Sequence, residues 1–162
     1  MNYFELFEIP VSLAVDTKAL SKRFFELQKK YHPDFFGQAS DAEKEEALEL
    51  SSMVNKAWKT FQSQDETVKY VLTEKGLLEE EEKFQLPPDF LMEVMELNEL
   101  KLDGVDDATL DARVKGLQNE ITEEVADIFS HYSETSHGQA ELLKVKEWYY
   151  KKKYLDRLLA DY

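Results

Sequence analysis

Proline at position 33 separates two amphipathic runs, and that separation restricts the fold more than any other residue does. Upstream, KALSKRFFELQKKY (residues 18–31) places Leu20, Phe24, Leu27 and Tyr31 within an arc of roughly 60° at about 100° per residue. Lys18, Lys22, Arg23, Lys29 and Lys30 cover the opposite side over roughly 140°, with Glu26 the one anion among them. Asp16 and Thr17 are suitable N-caps for this helix. At its far end Pro33 disfavours helical backbone at His32 and has no N–H to donate. Lys29 and Lys30 then meet the negative end of the helix dipole. Downstream, after FFGQAS, the helical period restarts over 41–61. Leu50, Val54, Ala57, Trp58 and Phe61 form its inner stripe, and Glu43, Glu45, Glu46 and Glu49 load its first turns, where anions are favoured. Two such helices with a short turn between them predict an antiparallel hairpin. Tyr3, Phe4, Leu6 and Phe7, closed by Pro10, and a shorter helix from Asp65 to about Lys75, stopped at Gly76, are expected to pack across it.

LLEEEEKFQLPPD (77–89), with four consecutive glutamates and then two prolines, marks a boundary. The expected organisation is a domain at 1–75, a linker at 76–83 and a second domain at 84–162. Beyond the boundary the periodicity predicts helices at about 89–102, 107–130 and 139–160, broken by DGVDD and SHYSETSHGQ. No strand pattern and no internal repeat is visible, so the fold class is all-α with a three-helix bundle following the hairpin domain. The first helix of this bundle carries two apolar faces. Phe90, Val94 and Leu97 share one arc and are expected in the core. Leu91, Met95 and Leu102 share another roughly 100° away, with Met92 beyond and Glu96 and Glu99 at its edge. The last helix doubles in the same way, with Val145, Trp148, Leu155 and Leu159 on one side and Leu143, Tyr150 and Tyr154 on another. A second stripe of this kind either packs on a neighbouring element or stands exposed as a binding face, and periodicity leaves both open.

Charge narrows the partners. The 162 residues carry 20 Lys and Arg against 34 Asp and Glu, a formal charge of −14. The first 40 residues are balanced, so the whole acidic excess falls beyond them, while five cations cluster in residues 18–30. An acidic chain repels phosphate backbones, so nucleic acid is not an expected partner. No cysteine is present, which removes disulfides, thiolate nucleophiles and sulfur ligands. MNYFELFEIP has no signal-peptide pattern, and no apolar run approaches about 18 residues. A cytoplasmic protein without membrane association is expected. His131, Glu134 and His137 lie in a loop without a fourth ligand and read as a solvated turn rather than a metal site. Lys151–Lys153 read as a solvated helix face. His32 and Asp34 have no nucleophile or phosphate loop beside them, so no enzyme activity and no cofactor is expected.

YHPD at 31–34, the basic helix before it and VNKAWKTF at 54–61 resemble a J domain, the module that docks onto DnaK-type chaperone ATPases. MNYFELFEIP, DTKALSKRFFELQKKYHPD, FLMEVMELNE and YLDRLLADY, taken in order, resemble the HscB family of J-domain co-chaperones of iron–sulfur cluster biogenesis over nearly the whole chain. The departures are small. Phe35 stands where many J domains have lysine, QSQDET lacks a proline common after the third helix, and the cysteine-rich segment of some eukaryotic relatives has no counterpart.

The resemblance implies an elongated or L-shaped protein that binds the scaffold protein IscU, delivers it to the DnaK-type chaperone HscA and stimulates ATP hydrolysis there. It assigns ATPase docking to His32, Pro33, Asp34, Lys22, Arg23 and Lys29, whose cationic face suits an acidic surface. It assigns scaffold binding to Leu91, Met92, Met95, Glu96, Glu99 and Tyr154. The other reading is a general J-domain protein presenting unfolded clients, which is expected to offer broad apolar grooves, often on β-rich or zinc-containing modules; this sequence has neither.

Overall fold

The structure, a computed structural model, describes residues 1–160; Asp161 and Tyr162, the end of the expected second domain, lie outside the described residues. The described chain is helical, with α1 (Tyr3–Leu6), α2 (Thr17–Lys30), α3 (Asp41–Phe61), α4 (Gln64–Glu74), α5 (Pro88–Leu102), α6 (Asp107–His131) and α7 (Gln139–Ala160). A 3₁₀ turn, Pro33–Phe36, lies between α2 and α3. The chain divides into two compact units, Met1–Val71 and Leu72–Tyr162, with the division inside the last turn of α4.

Local signals fix the helix ends. Asn2 and Glu5 form a capping box on α1, Asp16 accepts the Lys18 and Ala19 amides of α2, and Ser40 accepts the Glu43 amide of α3. Gly76 ends α4 at φ +72°, with Leu77 N–H donating to Leu72 O and Gly76 N–H to Thr73 O. Gly104 ends α5 in the same way at φ +82°, with Val105 N–H donating to Leu100 O and Gly104 N–H to Lys101 O. Left-handed backbone suits glycine at both places, and each orphan carbonyl finds a donor.

In the first unit α2 and α3 run antiparallel, as their cross-pairs require: Phe24 stacks on Trp58 at 4.5 Å and Gln28 bonds Asn55 at 3.3 Å. Leu20 and Leu27 from α2 meet a core of Ala47, Val54, Ala57 and Phe61 from α3. Leu50 and Trp58 are half-buried at its margin. α1 closes one side, Phe4 and Phe7 lying 5.3 Å from Phe61, while Tyr3 stacks on Tyr70 of α4 at 4.2 Å. Thr67 is buried, and its hydroxyl reaches the carbonyls of Thr60 and Ser63, so no polar group is stranded there.

In the second unit α6 and α7 form the main seam. Val114, Leu117, Ile121, Val125 and Phe129 face Leu142, Val145, Trp148, Tyr149 and Leu155. Trp148 meets Phe129 edge-on at 4.8 Å and donates its indole N–H to Thr122 Oγ1 at 3.1 Å, so a buried indole keeps its partner. α5 contributes Phe90, Val94 and Leu97 to this core. Leu159 is half-buried at its end.

The stretch from Leu77 to Pro87 has no helix but is fastened to its own unit. Leu78 is buried, Phe84 stacks on Tyr150 at 4.7 Å, and Glu82 pairs with Lys146 at 2.6 Å. The Lys146 ammonium, with the Glu79 amide, holds the Glu82 carboxyl below its ordinary value of 4.5. A depressed carboxyl stabilises the fold above its unfolded value and loses that contribution as pH falls through its folded value. Glu82→Gln is therefore expected to lower stability at neutral pH by about 1 kcal/mol. The difference from the parent should shrink as pH falls below the ordinary value of 4.5 and disappear only below the depressed folded value, which thermal unfolding at pH about 7 and at successively more acidic pH will check.

Candidate functional site

The turn after α2 holds two polar side chains outward. Tyr31 caps the helix, and His32 takes extended backbone (φ −66°, ψ 134°), as a residue before proline prefers. Pro33 then opens the 3₁₀ turn in the position where its missing N–H is harmless. His32 Nδ1 accepts the Asp34 amide at 3.2 Å. In the neutral ring the proton therefore sits on Nε2, at the other edge. The Asp34 carboxylate lies 3.5 Å from the same Nδ1, and its side chain is 88% exposed. The turn thus presents one ring donor beside a free carboxylate on a backbone that has little freedom to lose.

Lys18, Lys22 and Lys29 are exposed along α2. Arg23 departs from the exposed face expected of it. It is part-buried, pairing with Glu8 at 2.8 Å and Glu26 at 3.6 Å, and its Nε is buried without a partner. Glu8 reaches it from a left-handed backbone, φ 56°, just beyond α1. The helical wheel places Arg23 at the edge of the cationic arc, where a neighbouring segment can cover it, and nothing local in the sequence signals that neighbour. By helical period Phe25 lies within about 20° of Lys18, on the cationic side of α2 and away from its core stripe. It is 64% exposed.

On the second unit the two faces of α5 separate cleanly. Phe90, Val94 and Leu97 are buried, whereas Leu91, Met92, Met95 and Leu102 are 41%, 63%, 61% and 86% exposed. Glu96 and Glu99 are exposed beside them. The second stripe is therefore solvent-facing and does not pack on the bundle. Tyr154 comes from α7 to the same neighbourhood through Phe90, whose ring it meets edge-on at 6.5 Å. Lys151 Nζ lies 5.5 Å from the Phe90 ring centroid and pairs with Glu147. Tyr154 is half-buried, with Leu143 of the same helix exposed.

The other clusters have structural partners. Glu134 pairs with Lys75, and this hydrogen bond raises the lysine against the lowering effect of burial. His131 Nδ1 meets Asp127 at 3.1 Å, and His137 Nδ1 accepts the Ser133 amide at 3.2 Å. Among the described residues no group of three or more potential ligands is placed to hold a metal ion. Lys152 pairs with Asp156, and Lys153 lies near the Tyr149 ring. No helix among the described residues is long and apolar enough to cross a membrane.

A basic helix ending in a fixed His-Pro-Asp turn, followed by an acidic helical bundle, defines a J-domain co-chaperone. Comparison with known proteins makes the class particular. Residues 86–161 match the family model described as the HSCB C-terminal oligomerisation domain. Among solved structures, chaperone HscB from Vibrio cholerae is 28% identical, with a TM-score of 0.68 over 99% of this chain and 94% of that one. Human co-chaperone HscB is 31% identical, with a TM-score of 0.75 over 99% of this chain and 80% of that one. The chain belongs to the HscB family of co-chaperones.

Exposure on α5 has a direct consequence for stability. Replacing both Leu91 and Met95 with Ala should leave Tm nearly unchanged, because neither substitution opens an interior cavity. Leu97→Ala, on the buried face of the same helix, is expected to cost about 2–5 kcal/mol. Calorimetric melting of the two variants beside the parent will test the contrast.

Proposed function

We propose that the chain is a two-part adaptor in iron–sulfur protein maturation, a non-enzymatic cytoplasmic protein acting on two macromolecular partners. In this reading the J domain spans about 1–75 and the client bundle about 84–162, with 76–83 connecting them. The J domain docks on a DnaK-type ATPase of the HscA kind at the junction of its nucleotide and substrate domains. His32, Pro33 and Asp34 enter that junction, and Lys22 and Lys29 meet acidic surface around it. Arg23, tied to Glu8, contributes mainly by holding α2 in place. The observation that carries this reading is the turn itself. Its histidine and carboxylate are exposed and held by a proline-fixed backbone at the end of an exposed lysine face, in a chain of the HscB family.

The client surface is the exposed stripe of α5, with Leu91, Met92 and Met95 as apolar contacts, Glu96 and Glu99 as its acidic rim, and Tyr154 beside it. Flexible methionines fit a partner that must be released after delivery. The partner proposed is an iron–sulfur scaffold of the IscU kind. Scaffold binding here and ATPase docking on the J domain together raise hydrolysis above the level that the J domain gives alone.

The deciding experiment is steady-state ATP hydrolysis by an HscA-type ATPase with this protein, with and without scaffold. His32→Gln or Asp34→Asn should abolish stimulation while scaffold affinity and helicity persist; stimulation at the parental level by either would refute the docking assignment. The Leu91→Ala and Met95→Ala double variant should keep basal stimulation and lose the scaffold-dependent part. Its scaffold affinity is expected to fall by about 2 kcal/mol, a change of roughly thirtyfold. Unchanged scaffold affinity would refute the client assignment. Raising ionic strength should weaken stimulation, because exposed lysines are screened over about 10 Å at 0.1 M salt.

A further inference from the structure

Phe25 occupies a position that folding does not explain. It is 64% exposed on α2, while the core residues of that helix, Leu20 and Leu27, are at 8% and 1%. At about 100° per residue it lies within roughly 60° of Lys18, Lys22 and Lys29, three exposed lysines on one strip of helix surface. None of the three has an ion-pair partner among the described residues, so their charges are available. A large apolar ring flanked along the helix by free ammonium groups is the arrangement of a binding anchor beside polar contacts.

The ring is also held in advance. Phe25 contacts Phe24 at 5.6 Å, Phe24 stacks on Trp58 at 4.5 Å, and Trp58 stacks on Phe7 at 6.5 Å. This aromatic series runs from the surface into the core of the first unit, where Phe7 is 1% exposed. An exposed aromatic backed by a packed stack loses little rotamer freedom when a partner covers it. The neighbouring lysines do not share that restraint, because their four-carbon stems remain mobile.

We infer that Phe25 is the apolar anchor of the ATPase-docking face, inserting into a depression on the partner that is apolar at its base and rimmed by carboxylates. This rests on the docking role proposed above for α2. The lysines and the ring then divide the work physically. Lysines set the encounter rate and its salt dependence, and the buried ring sets the dissociation rate. The same division gives selectivity: an ATPase surface acidic but without an apolar depression would meet the lysines and release quickly.

The test measures association and dissociation rates of the full chain with an ATP-bound HscA-type ATPase, at several salt concentrations. Phe25→Ala is expected to weaken binding by about tenfold or more, mostly through faster dissociation, with the salt slope unchanged. Its Tm should match the parent, and Phe25→Leu should recover much of the affinity. Lys22→Glu should instead slow association and flatten the salt slope. Parental kinetics for Phe25→Ala beside a weakened Lys22→Glu would overturn the anchor while leaving the docking face in place. Parental kinetics for Phe25→Ala, Lys22→Glu and Asp34→Asn alike would overturn the docking face itself. A lowered Tm for both Phe25→Ala and Phe25→Gln would make the ring a packing residue and also overturn the anchor.

Discussion

The stack of Phe24 on Trp58, whose indole also stacks with Phe7, fixes the rotation of α2 about its own axis. Everything exposed in the first unit depends on that rotation. With Phe24 turned inward, Leu20 and Leu27 follow it on the same arc, and the lysines are left facing water. A turn of helix in either direction would bury ammonium groups without partners, which is far more expensive than the loss of one aromatic contact. Arg23 marks the limit of the arrangement. It sits where the cationic arc meets the core, and its charge is accommodated because Glu8 and Glu26 lie within reach. The His-Pro-Asp turn inherits its direction from the same helix, since only Tyr31 separates the last helical residue from His32.

The second unit is organised around a different constraint. α5 has apolar residues on two faces, and only one of them can be satisfied by α6 and α7. Phe90, Val94 and Leu97 take the buried side, and Phe90 also meets Tyr154 across to α7. The remaining stripe stays in water, although most of its members are large apolar residues that a folding requirement alone would not retain. Glu96 and Glu99 stand exposed beside it, so the apolar stripe carries an acidic edge.

Much of this was legible in the sequence because the helix ends are written in short-range chemistry. The expected span 41–61 coincides with α3, and the expected ends of α5, α6 and α7 fall within a residue of the observed ones. Ser40, Asp106, Gly76 and Gly104 act on backbone groups within a few residues, so a local pattern suffices to place them. The two-faced reading of α5 succeeded for the same reason, since helical period alone separates Leu91 and Met95 from Val94 and Leu97. What periodicity could not supply were pairings between distant segments. The contact of Arg23 with Glu8, the stacking of Phe84 on Tyr150 and the ion pair of Glu82 with Lys146 join residues that no local rule connects. The Glu82 contact in particular was hidden, because a run of four glutamates reads as a solvated spacer until one of them finds a lysine on α7. Tyr149, buried beside Tyr150, was unassigned because the last helix has apolar residues around more than half its circumference.

The two exposed surfaces differ in sign as well as in chemistry, and that difference limits how partners could be confused. α2 offers lysines around one aromatic ring, whereas α5 offers leucine and methionine beside glutamates. On the proposed reading, an acidic ATPase surface is attracted to the first and repelled by the second. A client suited to the acidic rim is in turn repelled by the lysines. Like-charge juxtaposition at a mistaken site costs several kcal/mol, more than most single apolar contacts return. On that reading the early cations serve a purpose that an all-acidic surface could not. A chain with a formal charge of −14 spread evenly would present two acidic faces and distinguish its partners by shape alone. Grouping Lys18, Lys22 and Lys29 on one face of a helix whose rotation is set by the Phe24–Trp58 stack gives that face the opposite sign to the edge of the α5 stripe, and on the proposed reading that contrast tells the two partners apart.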